Sequence, residues 1–139
     1  MAGFCSLVAI VSENTLNSYN FGLSHTSYCI VSLLISQCTS GSHGLTDGSK
    51  AGDWRLPNVK ELHSLIDFAY YGPALLNASG TSRWTEGNPF VGVQTSIYWS
   101  RTTYSGYSAV AWGVYLYGGY VGGGNKTGTG YVWPVRAGQ

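Results

Sequence analysis

Asp53-Trp54-Arg55-Leu56-Pro57-Asn58-Val59-Lys60-Glu61-Leu62-His63-Ser64-Leu65-Ile66 is the stretch with the clearest local code in this chain of 139 residues. Asn58 is placed to accept hydrogen bonds from the first backbone donors of a helix. Glu61, three positions on, can reach back and close a capping box. Val59, Leu62, Leu65, Ile66 and Ala69 then recur at helical spacing on one face, with Lys60, His63, Ser64 and Asp67 on the other. The pattern predicts an amphipathic helix of about three turns.

Downstream of this helix, Tyr71 to Gln94 reads as loop, with Pro73, Gly80, Gly87 and Pro89 as breakers. The character then changes. Seven of the eleven tyrosines and three of the five tryptophans lie between Tyr98 and Trp133, interleaved with glycine. Ala111 to Tyr117 alternates strictly, with Trp112, Val114 and Leu116 on one face and Gly113, Tyr115 and Tyr117 on the other. This is the pattern of a half-buried strand. Gly118-Gly119 signals a hairpin and Tyr120-Val121 starts the return strand. Gly122-Gly123-Gly124-Asn125 reads as a further turn. Tyr131 to Arg136 reads as a last strand, confined by Pro134 to an edge or a bulge. The C-terminal third is therefore expected to be an antiparallel meander.

Upstream, Thr39 to Gly52 is a Gly/Ser-rich loop containing Asp47-Gly48. Ser27 to Gln37 fits a buried helix or a buried strand equally well. Residues 1–43 carry a single charge, Glu13, and little recognisable pattern. Cys5, Cys29 and Cys38 all lie there. Their odd number leaves at least one thiol without a partner in the chain, and spacing alone leaves a Cys29–Cys38 disulfide open. No CxxC-type metal spacing occurs. No apolar run approaches the ~18 residues of a membrane span, and the N-terminus lacks the basic start of a signal peptide.

Composition narrows the function classes. Apolar residues make up 44%, enough to build a core, while charged residues are only 9%. Solubility must then come from Ser, Thr, Asn, Tyr and exposed backbone, a balance common in extracellular loop-rich domains. A net charge of +1 predicts neither nucleic acid nor membrane insertion. Glu86 is the last acidic residue, so Arg101, Lys126 and Arg136 leave the C-terminal part locally cationic.

Asp53-Trp54-Arg55-Leu56-Pro57-Asn58, the helix through Leu62 and Leu65, Tyr98-Trp99-Ser100, Ala111-Trp112 and Val132-Trp133-Pro134-Val135-Arg136 occur in an order that resembles the Lcl C-terminal domain family. That family takes its name from a bacterial collagen-like adhesin. It is related in fold to formylglycine-generating enzymes and to the variable proteins of diversity-generating retroelements. The resemblance runs from about Gly44 to Gln139. It implies an α+β, C-type-lectin-like fold, a surface or secreted location, and adhesive binding, toward sulfated glycans in the adhesin. Two features depart from the pattern. Arg101 stands where the family usually has Ser, and the Trp- and Ala-containing helix upstream is not recognisable in residues 1–43. The chain is accordingly divided into that segment and a binding domain over 44–139.

Catalysis finds little support in these residues. The related enzymes need cysteines in the C-terminal part, and none follows Cys38. His63 falls on the polar helix face, while Asp67 and Glu86 have no spacing that pairs them. The expectation is a non-enzyme without cofactor. Classical calcium-bridged sugar binding is also unsupported, because Glu86-Gly87-Asn88-Pro89 is followed by no acidic residue.

Trp54, Trp99, Trp112 and Trp133 sit in fold-defining motifs and are expected in the core. Tyr115 and Tyr117 share the opposite strand face, with Tyr104, Tyr107 and Tyr120 in flanking turns. Tyr among Ser, Gly and Asn is the composition of binding loops, giving contact area at low entropic cost. Arg101 and Lys126 could add charge-assisted bonds to sulfate or carboxylate. The expected ligand-binding set is Arg101, Tyr104, Tyr107, Tyr115, Tyr117, Tyr120, Asn125 and Lys126. The expected function is an extracellular or cell-surface, lectin-like domain that binds a glycan. The alternative is a protein-binding or self-associating module, a homo-oligomer among its forms, with the further option of a retroelement-diversified variable protein.

Overall fold

The computed structural model describes residues 35, 48–87, 90 and 93–136. The expectations for Ser27–Gln37 and for the three cysteines lie outside these residues, apart from Ile35, which is buried. The described elements are β1 (Trp54–Arg55), α1 (Val59–His63), β2 (Ile97–Thr103), β3 (Val110–Tyr115), β4 (Tyr120–Asn125) and β5 (Val135–Arg136). Strands dominate and helix is short, an α+β arrangement. β2, β3 and β4 form an antiparallel sheet in that order, and β1 pairs with β5 in a separate two-stranded ribbon.

The start of α1 follows the capping code. The Asn58 side-chain oxygen accepts the N–H groups of Lys60 and Glu61, each at 2.9 Å. Glu61 Oε2 accepts the Asn58 N–H at 2.8 Å. The helix is nevertheless five residues long, not three turns. Tertiary pairing stops it. Ile66 bridges Leu75, the Asp67 N–H donates to Ala74 O at 2.9 Å, and the Asp67 carboxylate accepts the Ala69 N–H at 2.8 Å. That local turn competes with helical propagation. Leu65 and Ile66 still pack against the core, whereas Ala69 is exposed.

The core sits on one face of the sheet. Tyr98, Val114 and Leu116 meet Leu62 from α1 together with Leu75, Trp84, Val93 and Trp133. Tyr98 donates no more than a hydroxyl to this apolar cluster, and that oxygen accepts the Gln94 N–H at 2.9 Å. Trp54, Trp99 and Trp133 are buried as expected, but Trp112 is only half-buried. It lies toward the far end of β3 from the core, where the Tyr104 ring stacks on it at 4.6 Å.

On the other face, Trp99 reaches across the sheet beneath a glycine-rich return. A Cβ on Gly124 would fall 2.6 Å from its Cη2, and one on Gly130 would fall 2.5 Å from its Nε1. Gly122-Gly123-Gly124-Asn125 is thus not a turn. These residues form β4, paired to β3 in register from Tyr115↔Tyr120 to Val110↔Asn125. Glycine is required there because neighbouring rings fill the space: Tyr120 lies over Gly122, Tyr104 over Gly123 and Trp99 over Gly124. The predicted strand over 131–136 reduces to a bridge at Tyr131, beside Tyr98, and the two residues of β5. The predicted loop over 71–94 is tied down by bridges Ile66↔Leu75 and Leu76↔Arg83.

Candidate functional site

Two ends of the three-stranded sheet divide the residues that sequence places in one site. Successive strand residues rise about 3.4 Å each, so the ends of the six-residue β3 lie roughly 17 Å apart. Tyr115, Tyr117 and Tyr120 gather at the β3–β4 turn. Tyr104, Tyr107, Asn125 and Lys126 gather at the β2–β3 turn, where Tyr104 and Tyr107 are in edge contact at 6.0 Å. There the Lys126 ammonium donates to Thr103 Oγ1 at 3.1 Å. Arg101 belongs with α1. Its N–H donates to Pro57 O at 2.9 Å, and its charge helps hold Glu61 ionised.

The β3–β4 end is the better-built aromatic surface. Tyr115 and Tyr120 are cross-strand partners, and Tyr115 and Tyr117 meet edge-on at 6.1 Å. Tyr117 lies in the four-residue connection Leu116–Gly119, longer than the expected two-residue hairpin. The connection needs Gly119, whose φ is +77° and whose Cβ would sit 2.5 Å from Ile66 Cγ2. Leu116 points into the core, which leaves its neighbours Tyr115 and Tyr117 facing out.

Two members of this cluster were not legible in sequence. Tyr71 packs on Tyr117 with ring centroids 4.2 Å apart, and Phe68 lies beside Gly119. The Tyr71–Tyr117 pair is held by backbone. The Gly72 N–H donates to Tyr117 O at 2.7 Å, and the Ala74 N–H to Leu116 O at 2.8 Å. Each ring also lies over a glycine next to the other tyrosine. A Cβ on Gly72 would meet Tyr117 at 3.2 Å, and one on Gly118 would meet Tyr71 at 2.9 Å. The two glycines are therefore what allows the rings to close on each other. Partial desolvation and the neighbouring Tyr117 raise the Tyr71 pKa above the usual phenol value.

Despite this packing the cluster remains open to solvent. Relative exposure is 39% at Tyr115 and Tyr117, 62% at Tyr71, and 71% at Phe68 and Tyr120. Arg83 lies close by, its Nη1 donating to Tyr71 O at 3.1 Å. The cluster offers several aromatic faces and edges, held where the Tyr71–Tyr117 and Tyr115–Tyr117 contacts set them. Among the described residues, no three His, Cys, Asp or Glu side chains come together to hold a metal ion. No helix among them is long and apolar enough to cross a membrane.

No curated protein and no solved structure matches the chain. The Lcl C-terminal domain pattern matches residues 15–136, which takes in most of the segment before Gly44 as well as every motif described above. With that match covering well over half of its length, this chain belongs to the Lcl C-terminal domain family.

Proposed function

We propose that this protein is an extracellular, lectin-like binding domain of C-type-lectin-like fold that recognises a glycan at the Tyr71–Tyr115–Tyr117–Tyr120 cluster. The observation that carries this reading is the Tyr71–Tyr117 pair. It joins two segments far apart in sequence, it is fixed by backbone hydrogen bonds and glycine contacts, and it still faces solvent. Solvent-facing rings held in one arrangement lose little entropy when a sugar face stacks on them. Their hydroxyls can bond to sugar hydroxyls. Arg83 adds a guanidinium beside the cluster, suited to a sulfate or carboxylate substituent. Tyr104, Tyr107, Asn125 and Lys126 lie too far away to contact the same sugar unit, and serve best as a control region.

A glycan array read with the unaltered protein, Tyr71→Ala, Tyr117→Ala and Tyr107→Ala tests the proposal. Binding should fall by about tenfold or more in the first two variants, one lost stacking contact each, and persist in the third. Absence of any glycan signal at high protein concentration would sink the glycan reading. Phe68 favours a second reading, a protein partner, because its ring adjoins the cluster, is largely exposed, and has nothing to offer a sugar hydroxyl. Retroelement diversification of the tyrosine-bearing segment is compatible with either ligand. It requires a near-repeat and a reverse transcriptase beside the locus, and sequencing that lacks them excludes it.

A further inference from the structure

We infer that β4 is a self-association edge, through which two copies of this chain join their three-stranded sheets into one antiparallel six-stranded sheet. The two outer edges of the sheet differ. On β2 the outward groups are used: the Trp99 N–H donates to Tyr131 O, Ile97 O accepts the Tyr131 N–H, and the Arg101 N–H donates to Pro57 O. On β4 they are not. The Lys126 N–H donates to Ala109 O at 2.9 Å. With the β3–β4 register, alternation makes Gly124, Gly122 and Tyr120 the residues bonded to β3. Val121, Gly123 and Asn125 then turn their backbone groups outward. Among the described residues no bond is made to these groups at Val121 or Gly123, while Asn125 O accepts the Gly128 N–H at 2.8 Å.

Native sheets protect such an edge with lysine, proline or a bulge. β4 has none of these, and its three central residues are glycines. The occupant that fits is a second β4. The strand itself is uncharged, so two copies approach without repulsion, and antiparallel pairing places the two Lys126 residues at opposite ends. A two-fold axis through Gly122 pairs the outward N–H and C=O of Val121 with those of the partner's Gly123, and the reverse. The neighbouring register needs Asn125 O, which Gly128 already occupies. The interface is small, so association is weak and concentration-dependent. None of this depends on the ligand of the tyrosine cluster.

The test is sedimentation equilibrium of the full chain from micromolar to millimolar concentration, with amide exchange followed residue by residue over the same range. A monomer–dimer equilibrium is expected. Gly122 and Gly124 amides should be protected at every concentration, and Val121 and Gly123 amides should gain protection as the dimer forms. Val121→Pro, which removes one outward donor per copy at an edge-strand position that already carries a side chain, should weaken the dimer by about tenfold or more. A chain that stays monomeric overturns the proposal and leaves the edge to solvent or to a strand of another polypeptide. A dimer in which Val121 and Gly123 still exchange freely overturns it equally.

Discussion

Glu61 carries two duties with one carboxylate. Oε1 and Oε2 accept Arg55 Nη2 and Nη1 at 2.7 and 2.8 Å, while Oε2 also accepts the Asn58 N–H. The Arg55 hydrogen bonds come first, and the Asn58 N–H second, in pulling the carboxyl from 4.5 down to about 2. A depressed acid contributes stability above its unfolded pKa and loses it as pH falls toward the folded value. Both side chains are more than a third exposed, so solvent screening keeps the ion pair itself small. Glu61→Ala should therefore cost about 1 kcal/mol at neutral pH, in the range of a lost cap. Urea midpoints measured between about pH 5 and pH 2 should decline less steeply in the variant than in the parent. This site was fully legible, because capping is a contact between near neighbours in sequence. Tyr71 was not, because nothing local says that a residue in a glycine- and proline-containing stretch will meet Tyr117.

At the scale of elements, α1 holds its place through one fully buried side chain, Leu62. A helix of five residues has too few internal bonds to persist alone, so its stability comes from that contact and its cap. Leu62→Ala should cost about 2–5 kcal/mol, the range for emptying a core leucine site. Leu65→Ala, at a half-buried position outside the helix, should cost distinctly less. Paired urea titrations with a common slope decide this, and equal losses would contradict the assignment of Leu62 as the anchor. Periodicity overstates the length of α1 because Leu65 and Ile66 keep helical spacing and core contact without keeping helical backbone. β4 departs from its local pattern for the opposite reason. Consecutive glycines signal a turn by their own preferences, but here β3 supplies the pairing and the Tyr120, Tyr104 and Trp99 rings supply the bulk.

Across the whole molecule, Tyr98 ties the sheet to everything packed on it. Its ring meets Tyr131 and Trp133 at 5.5 and 5.7 Å, and its hydroxyl accepts the Gln94 N–H. Burial raises its ionisation to about 12. For a phenol shifted upward, the protonated folded state is favoured, so the contribution is intact below about pH 10 and lost as pH rises toward 12. Thermal melts should show the midpoint falling over that alkaline window, and Tyr98→Phe should flatten the fall while lowering stability at neutral pH by about 1 kcal/mol through the lost hydrogen bond from the Gln94 N–H. What the sequence determined by itself was the local code and the family: the capped start of α1, the alternation through Val114, Tyr115, Leu116 and Tyr117, and the ordered tryptophan motifs. Each depends on neighbours within a few residues or on a pattern read along the chain. What the tertiary structure alone decided was assembly. It ended α1 early, straightened three glycines into β4, separated seven of the eight expected binding residues onto two ends of a sheet with Arg101 apart beside α1, and brought Tyr71 to Tyr117. Those outcomes depend on backbone pairing between distant segments, where the free energy of one arrangement is set by residues that no local window contains.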